Sequence, residues 1–162
     1  MTNEAPQLVD FRVNSDARGS LSKVFGRADN AGGQTRPANS GDGFILESSH
    51  LVFRGLHAQK PPFHQSKAVL VLKGSVRVYS VRVSGGIADP SSLSVHSLTS
   101  PTKIGLVAPE GWAIGVLTIS ESSTVWVSAS KPYRPDSEFT ISIRSLLRPE
   151  ETKDWKLSEK DS

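Results

Sequence analysis

The chain of 162 residues suits one domain and is long enough to bury a hydrophobic core without disulfides. It contains no cysteine, which excludes disulfides, thiolate metal sites and a cysteine nucleophile, and which fits a reducing compartment such as the cytoplasm. The formal net charge of +3 is mild and basic residues are mixed with acidic ones, so we expect no nucleic-acid binding. No apolar run approaches the roughly 20 residues that cross a bilayer, so we expect no membrane association.

Short β-rich segments dominate the chain. Residues 29–43 are rich in Gly, Asn and Ser and predict a flexible surface loop. In residues 67–83 two apolar runs meet at Lys73-Gly74-Ser75, which predicts a β-hairpin. Other strands are predicted at residues 43–47, 95–98, 104–107, 113–119, 124–128 and 139–143, and one short helix near residues 145–147, before Pro149.

The spacing of these segments indicates the fold class. Predicted strands recur roughly every 8 to 12 residues with Gly, Pro and Ser between them, which favours an antiparallel sandwich or barrel. The sequence therefore predicts an all-β fold with few short helices, formed as a single domain over residues 1–162.

One short stretch concentrates side chains capable of chemistry. Residues 54–59 read Arg-Gly-Leu-His-Ala-Gln, and Lys67 follows ten residues after His57. A neutral imidazole can remove a proton from a carbon next to a ketone if the resulting enolate oxygen meets a positive group. His57 and Lys67 could supply these two roles. The alternative is a buried histidine satisfied by the backbone, together with a solvated lysine on a strand.

Two sequence elements resemble those of cupins. The first is His57-x-Gln59 followed by Lys67 and Gly74, and the second is Pro-Glu-Gly-Trp-Ala-Ile at residues 109–114. This resemblance implies a jelly roll of antiparallel strands. In metal cupins the ligand positions carry three histidines and a carboxylate. Here the same positions carry one histidine, one amide, one ammonium and one alkyl group, which are His57, Gln59, Lys67 and Ile114 in that order. Such a set is a poor metal site, so the resemblance points to a cupin without metal.

A closer resemblance covers most of the chain. Six motifs occur in order: Asp16-Ala-Arg18-Gly19 ahead of Phe25, Arg54-Gly-Leu-His57-Ala-Gln59, Gln65-Ser-Lys67, Pro109-Glu-Gly111-Trp112-Ala113, Tyr133-Arg-Pro135 with Glu138, and Leu157-Ser-Glu-Lys-Asp161. Together they resemble the dTDP-4-dehydrorhamnose 3,5-epimerase family. The resemblance implies a homodimer, no cofactor, and a nucleoside-diphosphate 4-keto-6-deoxy sugar as substrate.

The resemblance also implies roles for individual residues. The catalytic set would be His57 as base, Lys67 as electrostatic helper and Asp161 as the group that fixes the tautomer of His57. Because Asp161 lies one residue from the chain end, a frayed, solvated tail is the alternative. The substrate-binding set would be Arg18 and Arg54 at the pyrophosphate, with Phe25, Gln59 and Tyr133. Three further histidines, His50, His64 and His96, match no role and are expected on the surface or in loops.

The chain departs from the family pattern at several positions. Val127 stands where the family has a tyrosine that acts as acid on the face opposite the histidine, and valine cannot donate a proton. The other departures are Ile114 in place of a histidine, the absence of an acid near Val78, Lys23 in place of a glutamate, and the changed stretch around Glu47 and Ser49. These changes leave the identity of the nucleoside base open.

Three functions remain open from the sequence. Without the second acid, a one-faced proton transfer by His57 is expected, as in a mono-epimerase or a ketoisomerase of deoxysugar biosynthesis. A second possibility is a sugar-nucleotide-binding cupin that has lost its reaction. The third is a metal cupin that uses His57 with His64 or His96.

Overall fold

The computed structural model describes residues 4–10, 12–16, 19–23, 41–101 and 104–161. Within them lie twelve strands: β1 Gln7–Asp10, β2 Arg12–Asp16, β3 Gly19–Lys23, β4 Gly43–Ser49, β5 Phe53–Gln59, β6 Lys67–Lys73, β7 Ser75–Ser84, β8 Ile87–Thr99, β9 Ile104–Ala108, β10 Trp112–Thr118, β11 Ser122–Ala129 and β12 Glu138–Thr140. The described helices are one α-helix, α1 (Pro149–Thr152), and three 3₁₀ turns at Pro135–Ser137, Ile143–Ser145 and Glu159–Asp161. The predicted all-β fold with few short helices is confirmed.

Two five-stranded sheets form a sandwich. The first sheet has the order β1-β9-β6-β11-β4 and the second has the order β12-β5-β10-β7-β8, while β2 and β3 pair separately. The described pairings between named strands are antiparallel. Apolar side chains of both sheets pack in the space between them, including Val69, Val71, Val76, Val78, Leu98, Leu106, Ile114, Val116, Val125 and Val127. This architecture is the predicted jelly roll.

The second sheet is covered on both faces at its centre. Its outer face packs against the C-terminal segment, where the ring of Trp155 lies 5.4 Å from that of Phe53 and 5.4 Å from that of Tyr79. Because neither face meets water, β10 is buried at every position and does not show the alternation of a half-exposed strand. This packing fixes the course of the C-terminal segment along β5.

The predicted hairpin at Gly74 is wrong. Strands β6 and β7 belong to different sheets, so the chain passes from one layer to the other at this glycine. Gly74 has φ of +82°, and a Cβ there would lie 2.3 Å from the carbonyl oxygen of Ser122. Its own carbonyl accepts a hydrogen bond from the amide of Ser100. The pattern of two apolar runs joined by a glycine is therefore compatible with a corner between two sheets as well as with a hairpin within one sheet.

Other local predictions also differ from the structure. The helix predicted at residues 145–147 is replaced by a 3₁₀ turn that ends at Ser145 and by α1, which begins at Pro149. Proline suits the first turn of a helix because its missing N–H would have no partner there. Of the loop predicted at residues 29–43, residues 29–40 lie outside the described residues, and Gly43 already begins β4.

Strand β5 was not among the predicted strands, because Gly55 interrupts its apolar pattern. The φ of Gly55 is +128°, and a Cβ there would lie 2.4 Å from the Cα of Gly115 on β10. Both the backbone conformation and the close approach of the two strands require glycine at this position.

Replacing Gly55 with alanine is therefore expected to lower the free energy of unfolding by about 3 kcal/mol or more, because strain and overlap add. Gly85→Ala is the matched control: its φ is +59°, but a Cβ there meets nothing within 4 Å, so we expect a loss of only about 1 kcal/mol. Urea denaturation of both variants measures the difference. Equal losses would contradict a role for the contact between Gly55 and Gly115.

Candidate active site

A pocket of about 600 Å³ lies between the two sheets. Its polar lining includes Arg54, His57, Gln59, Gln65, Lys67, Tyr133, Glu138, Lys160 and Asp161, and its apolar lining includes Phe44, Leu46, Ile114, Val116, Val127 and Ala129. Most of the site residues named from the sequence that the structure describes thus meet in one cavity. Arg18 and Phe25 lie outside the residues whose side chains the structure describes, so their predicted roles remain predictions.

An irregularity in β5 brings Arg54 and His57 to the same pocket. His57 pairs with Ile114 and Arg54 pairs with Val116, so three steps along β5 match two steps along β10. Residues three apart on a regular strand face opposite sides of the sheet. The extra residue in β5 is a β-bulge that reverses this alternation, and Arg54 therefore lines the pocket together with His57.

His57 is held by a carboxylate from the far end of the chain. Its Nε2 lies 2.7 Å from Oδ1 of Asp161, and the two residues are 104 positions apart. A carboxylate accepts hydrogen bonds, so Nε2 carries the proton and donates it, and the neutral ring has its lone pair on Nδ1. Asp161 is buried, with 4% of its surface exposed, rather than frayed. This arrangement leaves Nδ1 as the basic atom of His57.

The chain before Asp161 is fixed along β5 by backbone contacts. Lys156 accepts a hydrogen bond from the amide of Phe53 at 3.0 Å and donates one to the carbonyl of Leu51 at 2.8 Å. After this bridge the last 3₁₀ turn carries Asp161 to the ring of His57. Strand contacts and the packing of Trp155 therefore determine where the carboxylate lies.

A second carboxylate, Glu138, stands on the other side of the ring. Its Oε1 lies 3.6 Å from Nδ1 of His57, which is too long for a hydrogen bond but close enough to stabilise a protonated ring. Glu138 accepts hydrogen bonds from the hydroxyl of Tyr133, at 2.7 Å, and from Nζ of Lys160. Burial raises the pKa of Glu138, but these bonds and the nearby His57 outweigh burial and hold that pKa below its ordinary value.

Tyr133 keeps its proton because of the same contact. The hydrogen bond to Glu138 raises the pKa of Tyr133, and burial acts in the same direction. The tyrosine is 40% exposed and lines the pocket, and its amide donates to a carboxylate oxygen of Asp42 at 2.6 Å. Its hydroxyl is therefore a protonated group of the pocket.

Lys67 reaches from the first sheet to the second. Its Nζ donates a hydrogen bond to the backbone carbonyl of His57 at 3.0 Å. Burial lowers the pKa of Lys67 to about 8, although Glu138 acts against this shift. An ammonium has three N–H donors and this bond uses one, so the others can turn toward a ligand beside His57.

Gln59 lines the pocket and carries a buried donor that has no partner in the part of the chain that the structure describes. Its Oε1 accepts the amide N–H of Arg134 at 2.8 Å, which fixes the orientation of the side-chain amide. Its Nε2 is buried and has no hydrogen-bond partner among the described residues. Since a buried donor without a partner is costly, a ligand oxygen would satisfy it.

Arg54 lies at the exposed end of the site. Its Nε donates to the hydroxyl of Ser48 at 3.0 Å, and a terminal nitrogen donates to the carbonyl of Glu47 at 3.4 Å. These bonds hold the guanidinium without using a carboxylate, so its charge stays available to an anion.

Beside Lys67, which pairs with Ala129, the first sheet faces His57 with side chains that cannot ionise. Phe44 and Leu46 of β4 and Val127 and Ala129 of β11 line the pocket from this side, and Phe44 and Val127 are register partners. We call these four side chains the apolar wall. Ile114 is not part of it, because it lies on β10 directly beside His57.

The other histidines lie outside the pocket lining. His50 is exposed in the turn before β5, as predicted. The prediction for His96 is wrong: it lies on β8 opposite Val78, and its Nδ1 is buried without a partner among the described residues. The part of the chain that the structure describes holds no cluster of three or more His, Asp or Glu residues suited to a metal ion.

Two residues of the site were missed in the sequence. Glu138 belongs to the Tyr133 motif, but the sequence predicts no role for it, and it predicts none for Lys160. Lys160 stands next to Asp161, and Glu138 follows Tyr133 by five residues. Their closeness to assigned residues was the available signal, but the contact between them joins two distant segments that the sequence does not connect.

Comparison with known proteins agrees with this geometry. A family model described as dTDP-4-dehydrorhamnose 3,5-epimerase matches residues 5–162, which confirms the resemblance drawn from the motifs. No curated protein matches the chain significantly. None of the helices that the structure describes is long and apolar enough to span a membrane.

Solved structures of the same kind are similar over nearly the whole chain. A dTDP-6-deoxy-D-glucose-3,5-epimerase from Legionella pneumophila, in complex with dTDP-4-keto-L-rhamnose, is 27% identical over 96% of this chain and 84% of that chain, with a TM-score of 0.76. The RmlC epimerase of Mycobacterium tuberculosis is 26% identical over 99% of this chain and 83% of its own, with a TM-score of 0.74. ChmJ, a 3′-monoepimerase from Streptomyces bikiniensis in complex with dTDP-quinovose, has a TM-score of 0.77 over 99% of this chain and 83% of its own, but at 19% identity it shows a likeness of fold alone.

The lowered pKa of Lys67 predicts a pH dependence of stability. Its pKa is about 8 in the folded protein, compared with an ordinary lysine pKa of 10.5, so between these values the unfolded chain binds more protons. The free energy of unfolding should then rise with pH across this window. Relative to Lys67→Met, the unaltered protein should gain about 2 kcal/mol between pH 8 and pH 10.5.

Lys73→Met is the matched control, because Lys73 ends the same strand and is exposed. Urea denaturation of the three proteins at several pH values measures the differences, in which shared titrations cancel. The same pH profile for both variants would contradict the burial of Lys67 as the cause.

Proposed function

The chain belongs to the dTDP-4-dehydrorhamnose 3,5-epimerase family, and on that premise we propose that it moves a proton on one face of a nucleoside-diphosphate 4-keto-6-deoxyhexose. The reaction would be a mono-epimerisation or a ketoisomerisation in deoxysugar biosynthesis rather than a full 3,5-epimerisation. The observation that carries this proposal is the asymmetry of the pocket. His57 and Asp161 stand on one side, the apolar wall stands opposite, and Lys67 reaches from beside Ala129 of the wall to the backbone of His57.

The proton transfer would begin at Nδ1 of His57. This atom takes a proton from the carbon next to the ketone, and the C–H electron pair becomes the enolate. Asp161 and Glu138 stabilise the resulting imidazolium from both ring nitrogens. The ammonium of Lys67 stabilises the enolate oxygen. Because Lys67 is largely buried, this attraction is stronger than it would be in water.

The return of the proton decides the product. If His57 returns it to the former carbonyl carbon on the same face, and the hydroxyl proton of the first carbon passes to the enolate oxygen, the carbonyl moves to the first carbon and the reaction is a ketoisomerisation. If another acid delivers a proton to the opposite face of the first carbon, that centre is epimerised. Val127 cannot be that acid, so an epimerisation requires water or the hydroxyl of Tyr133, whose raised pKa keeps it protonated.

Substrate binding would use the polar lining beyond the reacting carbon. The free N–H₂ of Gln59 suits a sugar oxygen, and the guanidinium of Arg54 suits the pyrophosphate. Arg18, Phe25 and Tyr133 complete the proposed binding set.

We also propose a homodimer and a cytoplasmic location. The exposed outer face of the first sheet carries Ile45 and Leu72, which are 65% and 49% exposed, and an apolar face of this kind supports association with a second copy. The cysteine-free composition is compatible with a reducing cytoplasm.

A second candidate is a sugar-nucleotide-binding protein without activity. Val127 favours it, because this position cannot supply a proton. The hydrogen bond between His57 and Asp161 favours catalysis, because binding alone does not require a fixed histidine tautomer.

Proton exchange in deuterated water tests the proposal. The protein would be incubated with dTDP- and UDP-linked 4-keto-6-deoxyhexoses, and NMR and mass spectrometry would identify the carbon that takes up deuterium. We expect exchange next to the ketone, and we expect His57→Ala to slow it by at least about 100-fold because the base is lost.

His50→Ala is the matched control, since His50 is exposed and outside the pocket lining, and it should leave the exchange rate unchanged. If deuterium exchange continues undiminished in His57→Ala, the assignment of His57 as the base is wrong. Binding without any exchange in the unaltered protein would favour the inactive binder.

A substitution that places an acid at position 127 tests whether the proton moves on only one face of the sugar. Val127→Tyr should add a proton donor on the wall opposite His57, so that deuterium appears with inversion at a centre that the unaltered protein leaves unchanged. Val127→Phe is the control, because it adds the ring without the hydroxyl. Equal product distributions from the two variants would contradict a role for the missing acid.

A further inference from the structure

We propose that the apolar wall selects nucleotide sugars that carry hydrogen or methyl, in place of a hydroxyl, at ring carbon 2 or 3. The proposal rests on the proposed function for its substrate class and adds the specificity of the same site. A sugar that lacks the hydroxyl at carbon 3 could be epimerised but not ketoisomerised, because the carbonyl can move to carbon 3 only if that carbon carries a hydroxyl. It concerns the face of the sugar that is turned away from His57.

The wall is continuous and lacks polar side-chain atoms. Phe44, Leu46, Val127 and Ala129 contribute only carbon atoms from their side chains, and β11 is paired on both edges, with β4 and with β6. Leu46 also packs against the core between the sheets. A hydroxyl turned toward this surface would find no side-chain partner there.

The wall is too large to serve only the methyl group at carbon 6. Neighbouring strands lie about 5 Å apart and residues on one face of a strand recur every 7 Å or so, so two residues on each of two strands cover roughly the area of a pyranose ring. A 6-deoxy sugar would leave most of this surface in contact with the ring and its other substituents.

Apart from Lys67, which begins beside Ala129 in the first sheet, the polar side chains around His57 lie on other sides of the pocket. His57, Glu138 and Asp161 come from the second sheet and the C-terminal segment, and Lys67 points its Nζ to the carbonyl of His57. The free donor of Gln59 is on the same strand as His57. Hydroxyls on the His57 side can therefore be satisfied, whereas one on the far side loses its hydrogen bonds to water without replacement.

Val127 is the residue on which the selection depends. It lies between Phe44 and Val69 in the first sheet, at the centre of the surface that faces the second sheet. Its exposed fraction is 8%, so its methyl groups form the floor of the wall rather than its rim. Threonine has nearly the same shape and would replace one of these methyl groups with a hydroxyl.

The test compares ligands that differ by one hydroxyl. Calorimetry would measure the affinity of the full-length protein for dTDP-quinovose and for its 2-deoxy and 3-deoxy analogues. We expect one analogue to bind about tenfold more tightly than dTDP-quinovose, in line with the modest discrimination that an apolar surface achieves against a hydroxyl. In Val127→Thr the preference should fall to about threefold or less, because the new hydroxyl can pair with that of the sugar.

Val125→Thr is the matched control, since Val125 lies on the same strand, packs in the core and is absent from the pocket lining. It should keep the preference of the unaltered protein. If the unaltered protein binds dTDP-quinovose as tightly as it binds both analogues, the inference is overturned. The proposed function is not affected by this result, because the exchange experiment tests it separately. A preference for one analogue without deuterium exchange would support the inference but contradict the proposed catalysis. If none of the three ligands binds, both the inference and the proposed function are overturned.

Discussion

The hydrogen bond between His57 and Asp161 is the interaction on which the site depends. It joins a strand in the first half of the chain to the last turn, and it can form only when the C-terminal segment is fixed along β5. Trp155 against Phe53 and Tyr79, and the backbone bridge at Lys156, supply that fixation. The centre of the second sheet is thereby buried on both faces, so the packing that stabilises the fold also sets the tautomer of the histidine.

The pocket divides its chemistry between the two sheets. The second sheet and the C-terminal segment contribute the histidine and both carboxylates, whereas the first sheet contributes the apolar wall and one ammonium. Such a site can stabilise charge that develops on one face of a flat enolate, but the described residues of the opposite wall offer no proton. The valine at position 127 is therefore best understood together with its neighbours Phe44 and Ala129, as part of a surface rather than as a lost residue.

The sequence predicted the fold class and much of the site, because strand periodicity and local motifs are short-range signals. It failed where the outcome depends on distant partners. The glycine at 74 predicts a turn, but it does not determine whether the next strand joins the same sheet. Strand β5 was not predicted because Gly55 interrupts its pattern, and glycine is required there by the close approach of Gly115 on another strand. Glu138 and Lys160 were missed for the same reason, since their contact joins segments 22 residues apart.

Lys67 shows how the two sheets depend on each other. A buried ammonium is costly, and its lowered pKa records that cost. The carbonyl of His57 and the charge of Glu138 offset part of it, and both come from the opposite sheet or its edge strand. The position of the lysine thus depends on the sheet that carries the base, and any movement of β5 would alter the base and the positive charge together. The two groups that must act on one substrate at the same time are therefore placed by a single contact between the sheets.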